Sequence, residues 1–186
     1  MNETQKSILE RRSNRGFSSV ALTQAETQAL IDAALASPSA CNYQDWHFSF
    51  VRNQALLEEF SAQYRQILLS ELTSEEAKKK NTTYDVFFHA PLVVFISLPE
   101  TPKSRFAEVD AGIAVQNLAL SAQGMGLGSV ILGRPKDVFQ ANNTQKWEER
   151  LGFPKGYRFA IAIAIGHPTV SKEAHPINEN KITTID

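Results

Sequence analysis

Apolar residues along this chain recur at two spacings, one suited to helices and one to strands. Thr23-Gln24-Ala25-Glu26 has the form of a capping box, in which the first and fourth side chains each satisfy a backbone N–H of the other. A helix is therefore predicted from Thr23, with Leu22 as its hydrophobic staple. Ala29, Leu30, Ala33 and Ala34, with Ile31, make its buried stripe. Pro38 ends it, because the ring clashes with the preceding turn and offers no N–H. His47 to Val51 then predicts a strand with Phe48 and Phe50 on one face. From Gln54 to Leu72, the residues Leu56, Leu57, Phe60, Tyr64, Ile67 and Leu68 recur at helical spacing. Upstream, Ile8 and Leu9 belong to a short helix ending near Arg12, and Gly16 permits the exit turn. Glu75 to Thr83, with Lys78-Lys79-Lys80, is polar and aperiodic and reads as a mobile surface segment.

Leu92-Val93-Val94-Phe95-Ile96 is a continuous apolar run opened by Pro91, and predicts a central strand covered on both faces. Phe106 to Met125 is the longest helical pattern. Between Asp110 and Arg134 lie 23 residues without a formal charge. Gln116, Asn117, Ser121, Gln123 and the glycines 124, 126, 128 and 133 exclude a membrane span there, which needs sustained apolarity. The helix is instead expected to be buried nearly all round, in a core or a subunit interface. Leu127 to Leu132 returns as a strand, and Gly133-Arg134-Pro135 is a sharp exit. Thr144 to Leu151 predicts a short helix carrying Trp147. Arg158 to Ile165 predicts the last core strand, with Phe159, Ile161, Ile163 and Ile165 on one face and Ala160, Ala162 and Ala164 on the other. Gly166-His167-Pro168 breaks it. The tail from Thr169 has only Ile177, Ile182 and Ile185 to anchor it, so it is either frayed or laid on another surface. Alternating helices and strands, taken alone, suggest a parallel sheet.

At 186 residues the chain fits a single domain, 1–186, with 169–186 as an extended tail. A net charge of −1 speaks against nucleic acid as a partner. The single cysteine, Cys41, excludes an intramolecular disulfide framework and a Cys-based zinc cluster. Met1 to Arg12 has no apolar signal core, so the cytoplasm is the expected location. The histidines are scattered, with no metal-ligand spacing and no Ser/His/Asp arrangement.

Two stretches carry candidate chemistry. In Ser37-Pro38-Ser39-Ala40-Cys41-Asn42-Tyr43-Gln44-Asp45-Trp46-His47-Phe48, the small residues allow close approach to the backbone. Asn42 and Gln44 each offer a donor and an acceptor, suited to the edge of a heteroaromatic ring. The plainer alternative is a polar loop that caps its own backbone. Arg11-Arg12-Ser13-Asn14-Arg15 packs three arginines into five residues. They form either a fork-shaped phosphate receptor or a solvated offset to a helix C-terminal dipole.

Taken in order, Arg11-Arg12-Ser13-Asn14-Arg15, the Pro38-Ser39 to Trp46 loop, Gly126-Leu127-Gly128-Ser129 and Gly166-His167-Pro168 resemble the nitroreductase family of flavin enzymes, and the Asp110 to Gln123 helix resembles its buried central helix. The resemblance implies an α+β fold, with a mixed, mainly antiparallel sheet flanked by helices, and an intertwined homodimer holding flavin mononucleotide (FMN) at the interface. It implies that Arg11, Arg12, Ser13 and Arg15 hold the phosphate and the pyrimidine edge. Pro38, Ser39, Asn42 and Gln44 of the other subunit would line the isoalloxazine, and backbone around Leu132 and Gly133 would face N5. The implied activity passes electrons from NADH or NADPH to a nitroaromatic, quinone or similar flat acceptor, without a catalytic side chain. A flavin-binding carrier or sensor is the alternative. Two departures stand out. Asp45 occupies the place of a usual proline between Gln44 and Trp46. The usual tail cation has no clear match among Lys172, His175 and Lys181, of which His175 is the choice.

Overall fold

The computed structural model describes residues 1–141 and 146–185. Its strands β1 (His47–Val51), β2 (Leu92–Pro99), β3 (Gly128–Leu132) and β4 (Tyr157–Gly166) form one sheet in the order β1-β2-β4-β3. Every neighbouring pair is antiparallel, so the parallel sheet suggested by alternation alone is not what forms. A lone parallel bridge, Ser13 to Ser129, is added at the β3 edge. The helices are α1 (Glu3–Glu10), α2 (Gln24–Leu35), α3 (Gln54–Glu71), α4 (Glu75–Lys80), α5 (Ala107–Gly124), α6 (Lys136–Gln140) and α7 (Trp147–Arg150). The predicted start of the last helix at Thr144 falls outside the described residues.

β2 is covered on both faces, as its unbroken apolar run requires. Leu92, Val94, Ile96 and Leu98 pack with Leu30, Ala34, Ala114 and Leu118 of α2 and α5. Val93 and Phe95 pack with Leu57, Phe60 and Tyr64 of α3 and with Trp147. Each fully buried Leu, Ile, Val or Phe among them contributes roughly 1.5–3 kcal/mol. β4 departs from strict alternation. Ile96 pairs with Ile161 but Ser97 pairs with Phe159, so Ala160 is the extra residue of a bulge. Phe159 consequently joins Ala162 and Ala164 on the α3 side, while Ile163 and Ile165 face α5.

One other expectation changes. The segment from Glu75 is a helix, capped by the Ser74 side chain. Glu75 and Glu76 lie in its first turn and Lys78 to Lys80 in its last, the arrangement that suits a helix dipole. Lys78–Glu75 and Lys80–Glu76 pair at 2.9 Å. With no buried residue it has no apolar period to read. Within a single chain α5 is buried on one side. Ala111, Ala114, Leu118 and Ala122 face the sheet, whereas Val109 is 58% exposed and Ile113 37%. Among the described residues no helix is long and apolar enough to cross a membrane.

Residues 13–18 form a strap beside β3 and the end of β4. The Asn14 N–H donates to Ser129 O and the Ser18 N–H to His167 O, both at 2.9 Å, and Phe17 bridges Pro168. Gly128 admits this strap, since a Cβ there would lie 2.9 Å from the Asn14 side chain and from Pro168. Beyond the strap the tail leaves the body, with Ile177, Ile182 and Ile185 at 78%, 79% and 93% exposure.

Gly166 provides a direct test of this packing. An added Cβ would meet Pro91 Cδ at 2.5 Å and Phe17 Cδ1 at 3.2 Å, both in ring systems with little freedom to move. Gly166→Ala should therefore destabilise by roughly 1–3 kcal/mol, read as a lower urea midpoint at unchanged slope.

Candidate functional site

The loop after α2 is held in an unusual backbone shape. Cys41, Asn42 and Gln44 have φ of 50°, 53° and 49°, in the left-handed region that non-glycine residues seldom occupy. Each such residue costs on the order of 1 kcal/mol or more and persists only where its surroundings impose it. Here they do. The Ala40 N–H donates to both carboxylate oxygens of Asp110, at 3.2 Å each, from a buried position on α5. The Gln44 N–H donates to Ser39 Oγ at 3.0 Å, and Gln44 Nε2 to Asn42 Oδ1 at 2.7 Å. Asn117 Nδ2 donates to Ser37 Oγ at 3.0 Å. Asp45 is buried and accepts the Ser104 N–H at 3.0 Å. A hydrogen bond thus rigidifies the position where a proline ring would otherwise do so. Pro38, Asn42 and Gln44 remain exposed and Ser39 partly so.

The arginines differ in what they touch. Arg12 Nη1 donates to Leu9 O at 2.6 Å and to Arg11 O at 2.9 Å, closing the C-terminus of α1. Arg11 and Arg15 make no side-chain hydrogen bond or ion pair among the described residues. Ser13 lies in the strap against Ser129. Arg12, Asn14, Gln123, Gly128, Pro168 and Lys172 border a cleft of about 230 Å³. The tail residue that the fold brings to the arginine run is therefore Lys172, while His175 lies exposed farther along the arm.

Past the strap, β3 delivers Leu132 and the exposed Gly133, where a Cβ would meet nothing within 4 Å. Two residues that sequence reasoning did not single out follow from here. Arg134 Nη1 donates to the hydroxyl of Tyr64 at 2.9 Å, and Tyr64 is 1% exposed. That bond raises the Arg134 pKa above its already high ordinary value. Partial burial raises the pKa of Tyr84, Tyr64 adds to the rise, and Arg134 and Arg15 both pull it down. The arginine run and the end of β3 thus converge around Tyr84. Asp110 and Arg134 do carry a shared sequence signal, since they are the two charges that bound the uncharged interval.

The loop and the strap do not meet within one chain. The loop is tied to Asp110 and the strap cleft borders Gln123. Gln123 lies thirteen positions beyond Asp110 along α5, about 20 Å at 1.5 Å per residue.

Residues 8–167 match the model of the nitroreductase family, and the chain belongs to that family. It is similar to the NADPH-flavin oxidoreductase of Vibrio harveyi, with 27% identity over 95% of this chain and 70% of that protein. It is also similar to the FMN reductase (NADPH) of Bacillus subtilis, with 26% identity over 90% and 67% of the two chains. Among solved structures it resembles a nitroreductase with bound FMN from Desulfitobacterium hafniense, with a TM-score of 0.89, 29% identity and full coverage of both chains.

Removing the Asp110 carboxylate tests the loop's support. Asp110→Ala leaves the Ala40 N–H without a partner and should cost about 1–3 kcal/mol. Amide exchange through residues 39–44 should accelerate well beyond that of α5 itself. Unchanged exchange there would mean that the loop holds its shape without Asp110.

Proposed function

We propose that this protein is an FMN-dependent oxidoreductase. It takes hydride from NADH or NADPH and passes electrons to a nitroaromatic, quinone or similar flat acceptor. It works as an intertwined homodimer with two shared flavin sites, in the cytoplasm where those nucleotides circulate. One observation carries the reading: the loop and the arginine strap lie at opposite ends of α5, about 20 Å apart, a distance no three-ring heteroaromatic bridges.

The donors available fit FMN. Arg11 and Arg15 are cations without a carboxylate partner among the described residues, suited to a phosphate near two negative charges. Arg12, engaged at the end of α1, would add charge rather than a free fork, and Lys172 or His175 would supply the cation from the tail. Asn42 and Gln44 offer amide edges on a rigid loop, with Ser39 and Pro38 beside them. When bound, FMN accepts a hydride and returns electrons singly or in pairs. A guanidinium beside the pyrimidine edge stabilises negative charge that develops there on reduction. The backbone at Leu132 and Gly133 would orient the reacting edge, and the absent side chain at Gly133 leaves a flat acceptor room to stack. No side chain need move a proton if water supplies it.

The uncovered surfaces support pairing. The exposed Val109 and Ile113 form an apolar face on α5. β1 is a sheet edge, and Ile31, Leu35, Trp46, Phe48 and Phe50 line a groove of about 420 Å³ beside it. An extended arm whose three isoleucines find no cover in their own chain is suited to the same groove on a second copy.

Purified protein should bind about one FMN per chain, and anaerobic NADH or NADPH should bleach it. Bound flavin indifferent to both nucleotides would instead indicate a carrier or sensor. Arg11→Ala should weaken FMN binding by roughly 1.5–3 kcal/mol, measured by fluorescence titration. Deleting the arm beyond Lys172 should lower the dimer's sedimentation coefficient on dilution and release flavin in parallel. A truncated chain that stays monomeric yet keeps tight FMN would rule out the shared site.

A further inference from the structure

We propose that Arg134, held by the buried Tyr64 hydroxyl, receives an oxyanion, a carboxylate or phosphate, carried by the molecule that stacks on the flavin; this rests on the flavin reading above. A guanidinium has five N–H donors, and the bond to Tyr64 engages one of its nitrogens. That acceptor is a neutral hydroxyl, so the arginine's charge is not cancelled. Among the described residues no carboxylate lies within ion-pair distance of Arg134. Asp137 on α6 acts on it only electrostatically and at a distance. The other acid near Tyr84 is Asp85, whose oxygens already accept from Ser61 Oγ, the Phe87 and His89 N–H groups and His89 Nδ1.

Satisfying Tyr64 alone would not call for a full positive charge. Water or an amide serves a buried hydroxyl at lower electrostatic cost, and a second guanidinium, Arg15, already acts on Tyr84, whose ring lies 5.9 Å from that of Tyr64. In the proposed site Arg15 is occupied by FMN, which leaves Arg134 as the excess cation. Its neighbour Gly133 presents open space, so a flat ring there would carry its anionic substituent toward the fork. Tyr64 belongs to the aromatic core with Phe60, so the fork is anchored to the rigid side of the molecule. Two sources share this chemistry: a carboxylated aromatic acceptor, or a phosphate of the nicotinamide dinucleotide.

The test compares wild type, Arg134→Gln, Arg134→Lys and Tyr64→Phe, after the flavin absorbance of each has been recorded. Calorimetry with benzoate and with its neutral isostere benzamide reads binding without turnover. Stopped-flow reduction compares NADPH with NADH, and steady-state turnover compares 4-nitrobenzoate with nitrobenzene. Wild type should prefer the anionic member of at least one pair by about tenfold or more. Arg134→Gln should abolish that preference, Arg134→Lys should retain part of it, and Tyr64→Phe should reduce it while leaving flavin content unchanged. Loss confined to the dinucleotide pair assigns the anion to the hydride donor, and loss in the aromatic pairs assigns it to the acceptor. Flavin-loaded protein showing the same three ratios in wild type and Arg134→Gln overturns the proposal. Colourless protein overturns the flavin reading itself, and this inference with it.

Discussion

The rigidity of α5 is the constraint on which the rest of the molecule depends. One side of it buries Ala111, Ala114, Leu118 and Ala122 against the sheet, so the helix cannot bend or slide without opening the core. Its first turns hold the Asp110 carboxylate that grips the loop, and its last turns border the cleft beneath the arginine strap. The spacing between the loop and the strap is therefore fixed by helix geometry. The small residues Ala111, Ala114 and Ala122 let α5 pack closely on one side, while Val109 and Ile113 stay exposed on the other. In the proposed dimer, covering that second face and completing the site would be one event.

Much of the fold was legible because its determinants are local. The capping box at Thr23 forms as read, with the Glu26 N–H donating to Thr23 Oγ1 at 3.2 Å and the Thr23 N–H to Glu26 Oε2 at 2.7 Å. β1 and the apolar run of β2 stand where period and composition put them. Strand direction was not legible in this way, because a run buried on both faces reads alike in parallel and antiparallel sheets; the resemblance supplied the antiparallel answer. Phe159 was assigned to the wrong face because a bulge leaves no trace in an alternating sequence. α4 escaped notice because its stabilisation lies in its cap and its charge order rather than in an apolar stripe.

The candidate site was legible as two motifs but not as an assembly. Asp110 and Ala40 are 70 residues apart, as are Arg134 and Tyr64, and neither pair has a local signature. Asp45, in the place of a usual proline, has no local signature of the Ser104 N–H that its carboxylate accepts, 59 residues away. A backbone with three left-handed residues in a row of four is costly, and the hydrogen bonds that impose it come from three separate segments. Such a loop presents its side chains ready to bind instead of ordering them at the moment of binding.

The separation of loop and strap along α5 also has a genetic consequence. In the proposed dimer each site draws its arginines from one chain and its loop from the other. A chain damaged only in the strap and a chain damaged only in the loop, brought together in one cell, rebuild one sound site for every doubly damaged one. Two inactive alleles would then complement each other, and a defect in either half would behave as partly recessive. Alleles damaged in the same half would not rescue each other in any mixture.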